Sequence, residues 1–349
     1  MNRTLFKSIC CLAASLCIVS CERLFMEKET ESTPTATFDY LWNCVDRQYA
    51  FFDVKHVDWQ QVYTEYRPQI YDSMDDDSLF RVMGRMLSLL NDGHVNLTSS
   101  FDRSYSDSIY RQMYRRKNID ENVVALHYLH IADDRYHRTA GFSHHSLRDG
   151  KVAYLRYASF QDGTDSSALQ YLVRHYAGAE GLILDLRQNG GGLADNVWKL
   201  LKLFSNQGQL LYFTQTKSGP AHDAFSKPQP VYAPGKNTSY GNYRKPVAVL
   251  TDRGSYSASS FFAICTRAYG NVMLLGDTTG GGLGLPNGGQ LPNGWNYRFP
   301  ITRTLTPDGT NYENGVPPDR LVLLDPAETA RGRDNVIEYA CDWILGMIP

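Results

Sequence analysis

The spacing of apolar and polar positions divides the chain into stretches of different period. Phe38, Leu41, Trp42, Val45 and Tyr49 recur at helical spacing, and Leu79, Phe80, Met83, Met86, Leu87 and Leu90 form a second apolar face after the acidic start Asp75, Asp76 and Asp77. These positions predict a small helical module over residues 37–98. Residues 99–150 are polar, rich in Tyr, Arg and His and without a clear period, so they read as an irregular or strand-rich connection. From Lys151 the period alternates: a strand at Val152–Tyr157, a helix near Ser166–Tyr176, a strand at Gly181–Leu186, a helix near Asn196–Phe204 and a strand at Leu210–Thr216. Pro220–Tyr243 is a Pro, Gly, Ser and Tyr segment. Beyond it the pattern predicts a strand at Val247–Thr251, a helix at Ser257–Tyr269, a strand at Val272–Leu275 and a last helix at Ala327–Leu345. Such alternation predicts α/β layering for residues 151–349.

The amino terminus follows another logic. Asn2–Lys7 supply a short basic start, Ile9–Val19 an apolar run too short to span a bilayer, and Ser20 a small residue before Cys21, the order of an export signal. Ile18, Val19, Ser20 and Cys21 resemble the bacterial lipoprotein box, which implies lipidation of Cys21 and a bacterial cell envelope protein anchored in a membrane, at the outer membrane or facing the periplasm. Residues 1–21 are thus expected to be signal and lipobox cysteine. Residues 22–36, rich in Glu, Thr and Ser, are expected to be a flexible tether.

Composition narrows the partners. A formal net charge of −2 and a pI near 6.5 offer no basic field for a phosphate backbone, which argues against nucleic acid. Four of the seven cysteines fall within the first 21 residues, leaving Cys44, Cys265 and Cys341, too few and too scattered for a disulfide framework. Neither paired Cys/His spacing nor an HExxH helix is present, so no metal or other cofactor is expected.

Four short segments carry candidate chemistry. In Leu182–Gly192 an apolar strand breaks into Gly190, Gly191 and Gly192, where bare amides can approach a ligand or simply turn the chain. In Val247–Ser260 a strand, a turn and a helix place Ser257 where a helix start favours developing negative charge, although serine also caps helices. No GxSxG elbow surrounds it. Leu89–Leu97 ends an amphipathic helix in a turn that presents His94, and Tyr312–Asp319 sets Glu313 before a stiff Pro317–Pro318 pair.

Taken together and in this order, the DGH turn, the DLRxNGGG strand, the serine helix, the GDTTGGG run and the ending GVPPD resemble the C-terminal processing serine peptidases, in their tricorn-core-like branch. The resemblance covers roughly Phe38–Pro349. It implies a crotonase/ClpP-like α/β core of repeated strand and helix turns, and hydrolysis of peptides or unfolded proteins through an acyl-enzyme. It places the nucleophile on Ser257, the general base on His94 and the orienting carboxylate on Glu313. Ala258 and Gly191 are the implied oxyanion-hole pair, with Gly190 as the substitute. A Ser/Lys dyad is disfavoured because Gly280, Gly281 and Gly282 occupy the stretch where one branch carries its lysine. Residues 99–150 are too short for the PDZ domain that many relatives insert there. Specificity is expected from Gly282–Trp295 and Pro220–Tyr243, and His127, His130, His137, His144, His145 and His222 are rivals of His94. A non-catalytic binding protein of the same fold and an esterase are the alternatives.

Overall fold

The computed structural model describes residues 31–115, 117–133, 136–204, 208–235 and 240–349. The expected signal, Cys21 and most of the expected tether therefore lie outside the described residues. The helices used below are α1 (Pro34–Gln48), α2 (Trp59–Tyr66), α3 (Asp76–Ser88), α4 (Asp107–Arg115), α5 (Ser166–His175), α6 (Ala194–Leu201), α7 (Ala258–Thr266) and α8 (Asn335–Ile344). The strands are β1 (Asn96–Thr98), β2 (His137–Thr139), β3 (Phe142–Leu147), β4 (Val152–Tyr157), β5 (Gly181–Asp185), β6 (Leu210–Thr216) and β7 (Gln229–Tyr232). They continue as β8 (Val247–Thr251), β9 (Val272–Gly276), β10 (Pro286–Gln290), β11 (Asn296–Pro300), β12 (Thr302–Leu305) and β13 (Arg320–Leu321).

A seven-stranded mixed sheet in the order β13-β9-β8-β5-β4-β3-β2 forms the centre. From β4 through β5, β8 and β9 to β13 the strands run parallel, whereas β2, β3 and β4 pair antiparallel. Every residue of β4, β5 and β8 is buried, because both faces of these apolar runs are covered. Leu182, Leu184, Val247 and Val249 face the layer built by α5, α6 and α7. Ile183, Ala248 and Leu250, one position out of phase, face α8 through Val336, Ile337 and Ala340. The chain is thus a mixed α/β protein with an N-terminal helical region.

In that region α1, α2 and α3 bury Phe38, Leu41, Trp42, Trp59, Phe80 and Met83 in a common core, which also takes Leu291, Trp295 and Phe299 from the β10–β11 hairpin. β1, which follows α3, pairs antiparallel with β11. Residues far apart in the chain are thereby locked together, and this contact steers the turn between α3 and β1 toward the central sheet.

Three expectations shift. α1 starts at Pro34, inside the expected tether, because Thr33 accepts a hydrogen bond from the Ala36 amide and Pro34 suits the first turn. The 99–150 segment holds helix α4 and the β2–β3 hairpin, not strands and loop alone. The last helix is split into Pro326–Thr329 and α8, since Asp334 caps a new start by accepting from the Val336 and Ile337 amides.

Candidate active site

Ser257 stands between β8 and α7 with φ 54° and ψ −119°, a conformation that costs a non-glycine residue about 1–3 kcal/mol. Flanking hydrogen bonds impose it: the Ser257 amide donates to Gly281 O (2.9 Å) and the Tyr256 amide to Asn189 O (3.0 Å). Its hydroxyl makes no capping bond to α7. Instead Oγ lies 2.9 Å from His94 Nε2.

His94 reaches that point through a tight turn after α3. Asp92 Oδ1 accepts from the His94 amide (2.8 Å), and Asp92 Oδ2 accepts from the Tyr49 hydroxyl of the helical region (2.9 Å). Gly93 is required here, since a Cβ would come within 2.9 Å of the Tyr256 hydroxyl. Burial holds the imidazole below its ordinary pKa, Asp92 opposes that shift, and Arg298 and Lys55 reinforce it. The ring is therefore neutral at neutral pH and able to accept a proton. Its buried Nδ1 has no hydrogen-bond partner among the described residues, although the Gly284 backbone is close enough to favour the charged ring.

Glu313 is buried nearby but does not hydrogen-bond to His94. Its Oε2 accepts from the Leu283 (2.8 Å) and Gly284 (2.9 Å) amides, while Oε1 has no partner among the described residues. Burial first, then the Asp92 carboxylate, push its pKa up to about 8. Gly284 is thus shared: its amide binds Glu313 and its backbone acts on His94.

The three glycines after β5 take different roles. The Gly191 amide donates to Asn189 Oδ1 (2.9 Å), and a Cβ on Gly191, at φ 98°, would strike Tyr256 O, Ser257 Cβ and Ala258 N at 2.7–2.9 Å. Gly190 and Gly192 line a cleft of about 380 Å³ with Ser257, His94, Tyr256 and Arg298. The Asp185 and Arg187 of the same segment do not face that cleft. Arg187 is fully buried between Asp185 (2.6 Å) and Asp334 (2.9 Å), a clamp that holds the end of β5 to the start of α8. Gln188 and Gly254 amides both donate to Asp252 Oδ1, tying the glycine turn to the serine turn.

The rival histidines lie elsewhere: His144 is held between Thr139 and Tyr176, and His222 pairs with Asp46. The outer wall of the cleft is Tyr105, Ile109, Tyr110, Met113 and Tyr114, on and before α4, rather than residues of Gly282–Trp295 or Pro220–Tyr243 as expected from the sequence. Sequence reasoning missed this wall because α4 is short and lies in a predominantly polar segment. It also missed Tyr49, Tyr256 and Arg298, which carry no local signature.

The chain is similar to known peptidases. The description "Peptidase family S41" matches residues 151–322, and "Tricorn protease C1 domain" matches residues 31–88. The crystal structure of a candidate peptidase from Parabacteroides merdae is 35% identical, covers 90% of this chain and 98% of its own, and superimposes with a TM-score of 0.82. The chain belongs to peptidase family S41. Among curated members, the carboxy-terminal processing protease CtpA of Bacillus subtilis is 25% identical over 202 residues, 54% of this chain and 41% of its own length. The carboxy-terminal processing protease CtpB of the same organism is 27% identical over 180 residues, 50% and 35% of the two chains. This chain therefore spans less than half the length of the curated relatives it matches. Ser257 and Glu313 fall within the S41 match. His94 and the α4 wall fall between the two matched regions.

Proposed function

We propose that this S41 chain is a serine peptidase that cleaves peptides or unfolded proteins through an acyl-enzyme, with Ser257 as nucleophile, His94 as general base and Glu313 as orienting group. The carrying observation is the 2.9 Å contact between His94 Nε2 and a Ser257 Oγ held in a strained conformation and withheld from helix capping. As Oγ attacks the scissile carbonyl carbon, its proton passes to Nε2, and the carbonyl oxygen takes the negative charge. The C–N bond then breaks and Nε2 gives the proton to the departing amine. Water attacks the ester, His94 takes its proton, and the Ser257–acyl bond breaks with that proton returned to Oγ.

Backbone amides meet the oxyanion. Ala258, at the start of α7, supplies one donor, and Gly190, facing the cleft, is favoured for the second while Gly191 is engaged with Asn189. One such donor is worth about 10²–10³-fold in rate. Glu313 acts on His94 through the shared Gly284 backbone, and Asp92 adds negative potential beside the imidazolium as it forms. This chemistry calls on side chains and amides alone. The repeated units β5–α6 and β8–α7 support a crotonase/ClpP-like core over residues 151–349. The amino-terminal pattern and the bacterial relatives support export to the cell envelope with a lipid on Cys21. Among the described residues no helix is long and apolar enough to cross a membrane.

The test is labelling of the protein lacking its first 21 residues with a fluorophosphonate, alongside Ser257→Ala and His94→Ala. Labelling of the parent and loss in both variants is expected, followed by cleavage of amide bonds in a peptide library. A folded parent that never labels would overturn the proposal in favour of a binding protein.

A further inference from the structure

Arg298 stands in the wall of the Ser257 cleft and forms no ion pair among the described residues. On β11 it lies opposite Asn96 of β1, and its Nε donates to Asn96 Oδ1 at 2.7 Å. Arg103 Nη2 donates to the same oxygen at 2.9 Å. Asn96 is buried, and its own amide group is committed to Ser104 O. One neutral oxygen thus gathers two guanidinium groups, and among the described residues neither forms an ion pair, nor do the terminal Nη atoms of Arg298 have a partner.

Other buried or half-buried arginines are treated differently. Arg156 pairs with Glu121 and Asp185, Arg187 with Asp185 and Asp334, and Arg303 with Asp53. Two like charges drawn together at a half-buried site are destabilising unless an anion joins them. Burial and, after it, the neighbouring Arg103 disfavour the charged form of Arg298, while Tyr256 and the Asp92 carboxylate offset them only in part. The fork of a guanidinium whose Nε is already fixed leaves its Nη atoms free for a carboxylate.

We propose that Arg298, with Arg103 behind it, is a carboxylate-binding subsite that holds an acidic group of the substrate beside the bond presented to Ser257. This rests on the peptidase reading and specifies its substrate class: a peptide carrying a carboxylate, from its own C-terminus or from an aspartate or glutamate side chain, next to residues that pack on Tyr105, Tyr110 and Tyr114. Binding would also neutralise the Arg298 charge that lowers the basicity of His94, so the right substrate prepares its own general base.

Binding to the Ser257→Ala protein tests the subsite without turnover. The probes are fluorescein-labelled pentapeptides of alanine and tyrosine in three forms: free C-terminal carboxylate, C-terminal amide, and amide with one glutamate placed at each position in turn. Fluorescence anisotropy should show one acidic form binding about 10- to 100-fold more tightly than the neutral amide. That advantage should vanish when Arg298→Gln is added, shrink with Arg103→Gln at the exposed partner, and persist in part with Arg298→Lys, which keeps the charge but not the fork. The neutral amide should bind all four proteins alike. A winning free acid identifies the C-terminus as the source, and a winning glutamate peptide identifies an internal side chain. No preference for acidic over neutral peptides, or a preference that survives Arg298→Gln in a folded protein, overturns the proposal. Failure of the parent to label with fluorophosphonate would instead count against the peptidase reading and leave this binding result standing.

Discussion

Replacing Glu313 by glutamine isolates the energetic effect of a buried carboxyl group. In the folded protein burial and Asp92 raise its pKa from 4.5 to about 8, so the folded state holds the proton more tightly than the unfolded chain. The stabilisation from that proton is complete below pH 4.5 and is lost progressively as pH rises to about 8, where both states are ionised. The slope inside this window is about 1.4 kcal/mol per pH unit, so between about pH 5.5 and 7.5 the wild type should lose roughly 3 kcal/mol from this group alone. Glutamine cannot ionise and its side-chain oxygen can still accept from the Leu283 and Gly284 amides. Urea unfolding of both proteins across this range should therefore show their stability difference moving in favour of Glu313→Gln by that amount. Adding Asp92→Asn, which removes the second cause of the shift, should narrow the window from its upper end. Parallel stability profiles for wild type and Glu313→Gln would refute the reasoning and mean that Glu313 is ionised in both states.

Three further outcomes follow from the geometry. The acid limb of fluorophosphonate labelling should lie below pH 6.5, since burial lowers the His94 pKa, and Asp92→Asn should move it lower still by removing the main opposing influence; a limb that moves upward would contradict this. Gly191→Ala should slow labelling by about 100-fold or more while leaving circular dichroism native-like, because its Cβ would strike the Ser257 loop at under 3 Å; a normal labelling rate would show that the loop yields. Arg187→Met should cost about 3–5 kcal/mol in urea unfolding by leaving Asp334 buried without its cation and Asp185 with Arg156 alone, and a loss under about 1 kcal/mol would show that the clamp is dispensable.

Much of the architecture is legible in local pattern. The β4, β5 and β8 runs are largely apolar stretches bounded by turns, so they read directly as strands. The apolar faces of α1 and α3 are equally periodic. The boundary errors sit where one residue overrides composition, as Thr33 does for α1 and Asp334 for α8. The wall of the cleft was missed although Ile109, Tyr110, Met113 and Tyr114 recur at helical spacing, because α4 is short and its tyrosines stay exposed instead of joining a core.

By itself the sequence determined the chemistry-bearing residue types and their local settings: a serine before a helix, a histidine in the turn that ends an amphipathic helix, glycines after an apolar strand. Those depend on hydrogen bonds and periodicities within a few residues. Only the tertiary structure decided which of them meet. Pairing of β1 with β11 brings His94 to Ser257, 163 positions away, and the same pairing sets Arg298 against Asn96 and into the cleft. Distance in space between remote segments depends on sheet register and shared burial, which are properties of the whole packed chain. The tertiary structure also pushes the Glu313 pKa upward, because desolvation comes from everything that surrounds a group and no neighbouring residue in the chain announces it.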